Sequence, residues 1–85
     1  MEENKEWIKS GKLFEGLIRA KGYTPYSFAK KTNYSKSRLY RLCAGDADIM
    51  SVEFYNIVVF SKVLGYKSIT KFAIDLQLDL LEDIL

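Results

Sequence analysis

Eighty-five residues, nearly half of them apolar and twelve aromatic, are enough for one domain with a modest core and argue against a disordered chain. With no histidine and a single cysteine, Cys43, the chain lacks the usual general base, the usual zinc ligand sets and any internal disulfide; no glycine-rich phosphate loop or nucleophile elbow occurs either, so a binding protein without metal or cofactor is expected rather than an enzyme. The net charge of +2 says little, no apolar run reaches membrane-spanning length, and the opening "MEENKEWIKS" is too polar for a signal peptide, which together suit a cytoplasmic protein.

The punctuation predicts helices throughout, in one all-α domain of five helices over residues 1–85. Ser10 is expected to cap a first helix over about 11–21, stopped by Gly22. Leu13, Leu17 and Ala20 form its apolar stripe, widened by Phe14 and Ile18. Gly16 weakens that helix by roughly 1 kcal/mol against alanine, and close packing is expected to compensate. Thr24 caps a second helix with Pro25 at its first position, where the missing N–H had no partner to lose. "YSFAKKT" continues it, burying Phe28 and Ala29, and Asn33 ends it in the left-handed conformation that asparagine tolerates. Ser35 caps a third helix over 36–43, closed by Gly45, with Leu39 and Leu42 turned inward. Ser51 opens a fourth, "VEFYNIVVFSKVL", ending before Gly65; its β-branched residues favour strand, but its length and caps favour helix. Phe54, Ile57, Val58 and Leu64 are expected to face its core side. Ser68 opens a fifth helix, "ITKFAIDLQLDLLEDIL", over about 69–85 with no stop signal.

Charge is segregated along this chain. From Gly16 to Gly45 there are seven basic residues (Arg19, Lys21, Lys30, Lys31, Lys36, Arg38, Arg41) and no acid, whereas Phe72 to Leu85 holds four acids and no base. Such asymmetry points to one end that meets a polyanion. The second and third helices are separated by about three residues, which is helix-turn-helix spacing. If Leu39 and Leu42 face the core, then Lys36, Ser37, Tyr40 and Arg41 face outward, with Arg38 nearer the edge. Duplex DNA would supply the missing negative charge; an ordinary solvated face is the plainer alternative. Tyr26, Tyr34 and Tyr40 can equally pack at the core edge, Tyr34 above all. Trp7 reads as a lid on the core and Cys43 as a small buried residue.

The stretch "TPYSFAKKTNYSKSRLYRLCAG" resembles the lambda-repressor-like, Cro-type helix-turn-helix domains, and the likeness extends from about Leu13 to Tyr66. The family's alanine falls at Ala29, its turn glycine at Asn33, a branched apolar residue at Leu39 and the closing glycine at Gly45; "VVFSKVLGY" is similar to its fourth helix. The resemblance implies a compact five-helix domain that binds duplex DNA, usually as a homodimer, with the third helix in the major groove. It implies base reading by Lys36, Ser37 and Arg41, with Tyr40 as a neighbour, and phosphate contact by Ser35, Arg38, Thr24 and Tyr26. Lys30 and Lys31, with Arg19 and Lys21, would add general phosphate attraction. The implied role is a transcriptional regulator, a repressor of the phage or mobile-element type. Pro25 stands where the family often has glutamine and Ala44 where it often has asparagine, each removing a phosphate contact, and the acidic "DADIM" follows Gly45. These departures favour a second reading, a protein–protein module on the same scaffold, such as a nuclease inhibitor or an antitoxin.

The tail carries the expectation of a dimer. At 100° per residue, Ile69, Phe72, Leu76, Leu80 and Ile84 form one stripe and Ile74, Leu78, Leu81 and Leu85 another, with Lys71, Asp75, Asp79, Glu82 and Asp83 between. So wide an apolar surface is hard to bury in one small domain, and a homodimer through the second stripe is expected. The alternatives are a partly exposed stripe or a stripe covered by a further domain. For the dimer, half-sites are expected about one helical turn apart, near 34 Å, as the resemblance implies.

Overall fold

The computed structural model describes residues 4–78. Among them are five α-helices and no strand: α1 (Lys5–Ala20), α2 (Pro25–Thr32), α3 (Lys36–Ala44), α4 (Phe54–Val63) and α5 (Ile69–Asp75), with a 3-10 turn at Ile49–Ser51. None of these helices is long and apolar enough to cross a membrane.

The core is built from one phenylalanine of each of four helices. Phe14, Phe28, Phe60 and Phe72, from α1, α2, α4 and α5, are at most 1 % exposed. Their rings meet at centroid distances of 5.4 Å (Phe14–Phe60), 5.5 Å (Phe28–Phe60), 5.8 Å (Phe14–Phe28) and 6.2 Å (Phe14–Phe72), the range of favourable edge and tilted contacts. Helix α3 contributes Leu39, Leu42 and Cys43 from its inner side and packs against α1 and α2.

Local chemistry explains where the helices start. Thr24 and Ser27 form a reciprocal capping box: the Thr24 hydroxyl accepts from Ser27 N at 3.1 Å and the Ser27 hydroxyl from Thr24 N at 2.9 Å. Pro25 takes the first helical position. Ser35 caps α3 through Arg38 N and Ser68 caps α5 through Lys71 N.

All five helices end alike. A left-handed residue (Gly22, Asn33, Gly45, Gly65 or Gln77) is followed by one whose N–H reaches back to a carbonyl of the last turn, as in Tyr23 N to Ile18 O or Tyr34 N to Ala29 O. After three of these stops comes a tyrosine, and Tyr23, Tyr34 and Tyr66 each fold back onto a core phenylalanine ring at 5.8, 5.1 and 5.2 Å. The expected packing of Tyr34 at the core edge therefore holds.

Several sequence expectations are corrected. Helix α1 begins at Lys5, capped by Asn4, whose side chain accepts from Trp7 N; Ser10 is buried inside the helix and donates to Leu76 O at 3.1 Å, tying α1 to the end of α5. Phe14 and Ile18 are the deeply buried residues of α1, while Leu13 and Leu17 are half-buried and Ala20 is exposed. The close backbone approach is at Gly11, where a Cβ would run into the Leu42 carbonyl, and not at Gly16, around which nothing lies within 4 Å. Ser51 ends the 3-10 turn instead of opening α4, and Glu53 precedes that helix. Phe54 is 71 % exposed; Phe60 takes the place expected for it. Helix α5 stops at Asp75 because Leu76 and Gln77 turn the chain, so no single helix runs over 69–85 and the two stripes drawn along it do not extend past Asp75.

Candidate functional site

With Leu39, Leu42 and Cys43 turned to the core, α3 presents Lys36, Ser37, Arg38, Tyr40 and Arg41 to solvent. Tyr40 is half-exposed. At the start of the helix the hydroxyls of Ser35 and Ser37 lie 3.2 Å apart. Neither the first turn of α2 nor that of α3 carries an acid, although a helix N-terminus favours negative charge. Lys36 instead sits at the first position of α3, where its own charge opposes the helix dipole. Thr24 and Tyr26 are exposed at the front of α2, and Lys30 and Lys31 at its back, just before the buried Thr32.

The two helices meet at one polar contact. Lys36 Nζ donates to the Tyr26 hydroxyl at 3.1 Å and stands 4.2 Å from the centroid of its ring. This contact joins the front of α2 to the first turn of α3, where Ser35 and Ser37 also lie. Lys30 and Lys31 contact none of these side chains through a hydrogen bond or ion pair.

Not every cation of the basic stretch lacks a partner. Arg38 Nη2 donates to Glu53 Oε1 at 3.1 Å, and its guanidinium lies 4.8 Å over the Tyr34 ring. Arg19 pairs with Glu15 one turn back at 2.8 Å. The acid-free interval ends at Gly45, so sequence distance concealed Glu53. Lys21, Lys30, Lys31, Lys36 and Arg41 have no carboxylate partner among the described residues.

Burial and hydrogen bonding shift a few titrations. The Glu53 carboxyl is held below the usual glutamate range by its own backbone N–H, by Asn56 and by Arg38, and the Arg38 guanidinium is held higher by Glu53. Burial pushes the Cys43 thiol up to about 12, which keeps it protonated and unreactive at neutral pH, as a small core residue should be. The Tyr66 hydroxyl, desolvated and donating to Asp75 Oδ2 at 2.6 Å, is raised to about 12, while Asp75 is lowered by Lys71 and then by Tyr66. That cluster latches α5 to the end of α4.

Of the four residues expected to form a dimer surface, the two described ones are placed differently. Ile74 is 51 % exposed on α5, but Leu78 follows the turn, is half-buried and packs against the core; Leu81 and Leu85 lie outside the described residues. A feature not foreseen is an apolar groove of about 310 Å³ between the 3-10 turn, α4 and α5, lined by Met50, Val52, Phe54, Ile57, Phe72 and Leu78. Trp7 is half-buried at a neighbouring, more polar cleft with Ser10, Gln77 and Leu78.

Comparison of the chain with protein-family models, with curated proteins and with solved structures finds no match.

Proposed function

We propose that this chain is a sequence-specific duplex-DNA-binding regulator of the lambda-repressor-like, Cro-type helix-turn-helix kind, a cytoplasmic repressor of the phage or mobile-element type and not an enzyme. The observation that carries the reading is the division of α3, with Leu39 and Leu42 in the core and Lys36, Ser37, Tyr40 and Arg41 in solvent, two of those four being cations without a carboxylate among the described residues. In this reading α3 enters the major groove. Lys36 and Arg41 donate to the N7 and O6 acceptors of guanine, while Ser37 and Tyr40 adjust to neighbouring base edges. Thr24, Tyr26, Ser35, Lys30 and Lys31 meet phosphates, joined by Arg38 once it leaves Glu53. Two copies related by a two-fold axis read two half-sites.

Selection of bound duplexes from a random pool, followed by gel shift, tests this. Lys36→Ala and Arg41→Ala should each cost roughly 1–3 kcal/mol at the selected site and relax specificity there. Lys31→Ala should weaken all sequences alike and flatten the salt dependence. No loss for any of the three would overturn the assignment.

A protein partner is the second reading, favoured by Phe54 and Tyr55, 71 % and 75 % exposed at the start of α4. A nuclease inhibitor of that kind would bind random duplex weakly even at low salt, where the DNA-binding reading requires measurable affinity; an antitoxin would bind DNA as well and would be told apart by co-purification with its toxin.

A further inference from the structure

The front of α2 is unusually well fixed for a surface element. Pro25 locks the first backbone angle, and the Thr24–Ser27 capping box ties the first turn from both directions. Tyr26, the residue between them, is therefore a post anchored at its backbone, with its side chain 46 % exposed. Lys36, reaching across from the first position of α3, is held by that post in two ways, through the hydroxyl at 3.1 Å and over the ring at 4.2 Å. A lysine on a free four-carbon stem is a poor reader, because its ammonium samples many positions and its rotamer freedom must be lost on binding. An ammonium has three donors. With one given to Tyr26 Oη, two remain, and their directions are set by the protein and not by the ligand. The Tyr26 hydroxyl keeps its own proton, free to be given to a phosphate oxygen while the oxygen accepts from Lys36.

We propose that Tyr26 is a positioning residue that sets base specificity: it aims the Lys36 ammonium at adjacent acceptors on a base edge and couples that reading to a backbone phosphate. The proposal rests on the DNA-binding reading of α3. It differs from the simpler assignment of Tyr26 as one more phosphate contact, because its effect passes through Lys36.

The experiment compares wild type, Tyr26→Phe, Lys36→Ala and the double variant. Each is titrated against the selected duplex and against duplexes substituted at one base pair, at two salt concentrations. Tyr26→Phe keeps the exposed ring and removes only the hydroxyl, so its thermal midpoint should match wild type. The expected result is a roughly fivefold or greater loss of discrimination at the single base pair whose preference Lys36→Ala abolishes. Discrimination elsewhere and the salt slope should be unchanged, and in the Lys36→Ala background Tyr26→Phe should cause no further loss of discrimination. Full discrimination retained by Tyr26→Phe overturns the proposal. So does a uniform loss over all duplexes with a flatter salt slope, or independent effects of the two substitutions. A wild type that prefers no duplex over another is a separate outcome, visible before any variant is made, and it overturns the underlying DNA-binding reading together with this proposal.

Discussion

Arg38 shows how far one contact can alter the meaning of a residue. Read along the chain it is one of seven cations without an acid; in the fold it donates to Glu53 and lies on Tyr34. Under the proposed function Glu53 occupies, chemically, the place of a phosphate oxygen, and an incoming duplex would have to displace it. Glu53→Gln keeps the shape and the contact to Asn56 while removing the competing charge. Under the proposed function this substitution should tighten binding to random duplex and steepen the salt slope by about one, the increment for one more neutralised phosphate. Unchanged affinity and slope would show that Arg38 takes no part. The same residue carries a pH dependence whose sign is fixed. The Glu53 carboxyl titrates lower in the folded chain than in the unfolded one, so its contribution is present above the unfolded glutamate range, near pH 4.3, and is lost as pH falls through the folded value. Acid denaturation followed by circular dichroism should therefore be shallower in Glu53→Gln than in wild type; identical acid limbs would mean that the carboxylate contributes nothing. Neither the ion pair nor this titration was legible in the sequence, because Glu53 lies outside the basic stretch and is brought back to it only by the 3-10 turn.

Helix α1 holds two glycines whose roles are opposite. Gly11 lies where α1 crosses α3 and a Cβ there would strike the Leu42 and Cys43 carbonyls, whereas Gly16 faces open solvent. Gly16→Ala should stabilise the protein by about 1 kcal/mol, since alanine restricts the unfolded chain and meets nothing in the folded one. Gly11→Ala should destabilise by about 1–3 kcal/mol, because two backbones must separate. For a domain of this size each 1 kcal/mol shifts the thermal midpoint by roughly 4–8 °C, so a calorimetric scan distinguishes the signs. Shifts in the same direction would refute the assigned crossing. The two glycines also mark the limit of sequence reading for elements. The stops at Gly22, Asn33, Gly45 and Gly65 and the caps at Thr24, Ser35 and Ser68 were legible, because the signal and its effect lie within a few residues of each other. Ser10 misled because the partner of its hydroxyl, Leu76 O, is 66 residues away. The end of α5 escaped notice because its left-handed residue is Gln77, at φ 56°, where neither glycine nor asparagine announces a stop. Phe54 and Phe60 were exchanged because α4 is apolar on most of its surface, and periodicity cannot say which side faces inward.

At the scale of the whole molecule, the proposed function requires the basic face and the apolar surfaces to serve one assembly. The molecule measures 35 × 33 × 21 Å. Under the proposed function, two copies on one face of a duplex would have to place their α3 helices about 34–36 Å apart, a span comparable with the longer extents of one copy. The exposure of Lys36, Ser37, Tyr40 and Arg41 was legible because the burial of Leu39 and Leu42 dictates what the rest of α3 must expose; the end of α5 at Asp75, past which the expected dimer stripe was drawn, was not. Of the residues first assigned to that stripe, Ile74 is the one that tests self-association cleanly. Leu78 packs against the core, so a polar residue there would unfold the domain and mimic dissociation, whereas Ile74 is 51 % exposed and tolerates aspartate in a monomer. If two copies associate through α5, Ile74→Asp should halve the sedimenting mass at concentrations where wild type is dimeric, without moving the thermal midpoint extrapolated to low concentration. It should leave affinity for an isolated half-site as it is, and lower affinity for a full palindrome by the loss of effective concentration, roughly 10²-fold or more. An Ile74→Asp protein that sediments as wild type does, or binds palindrome and half-site in the wild-type ratio, would mean that α5 does not join the copies.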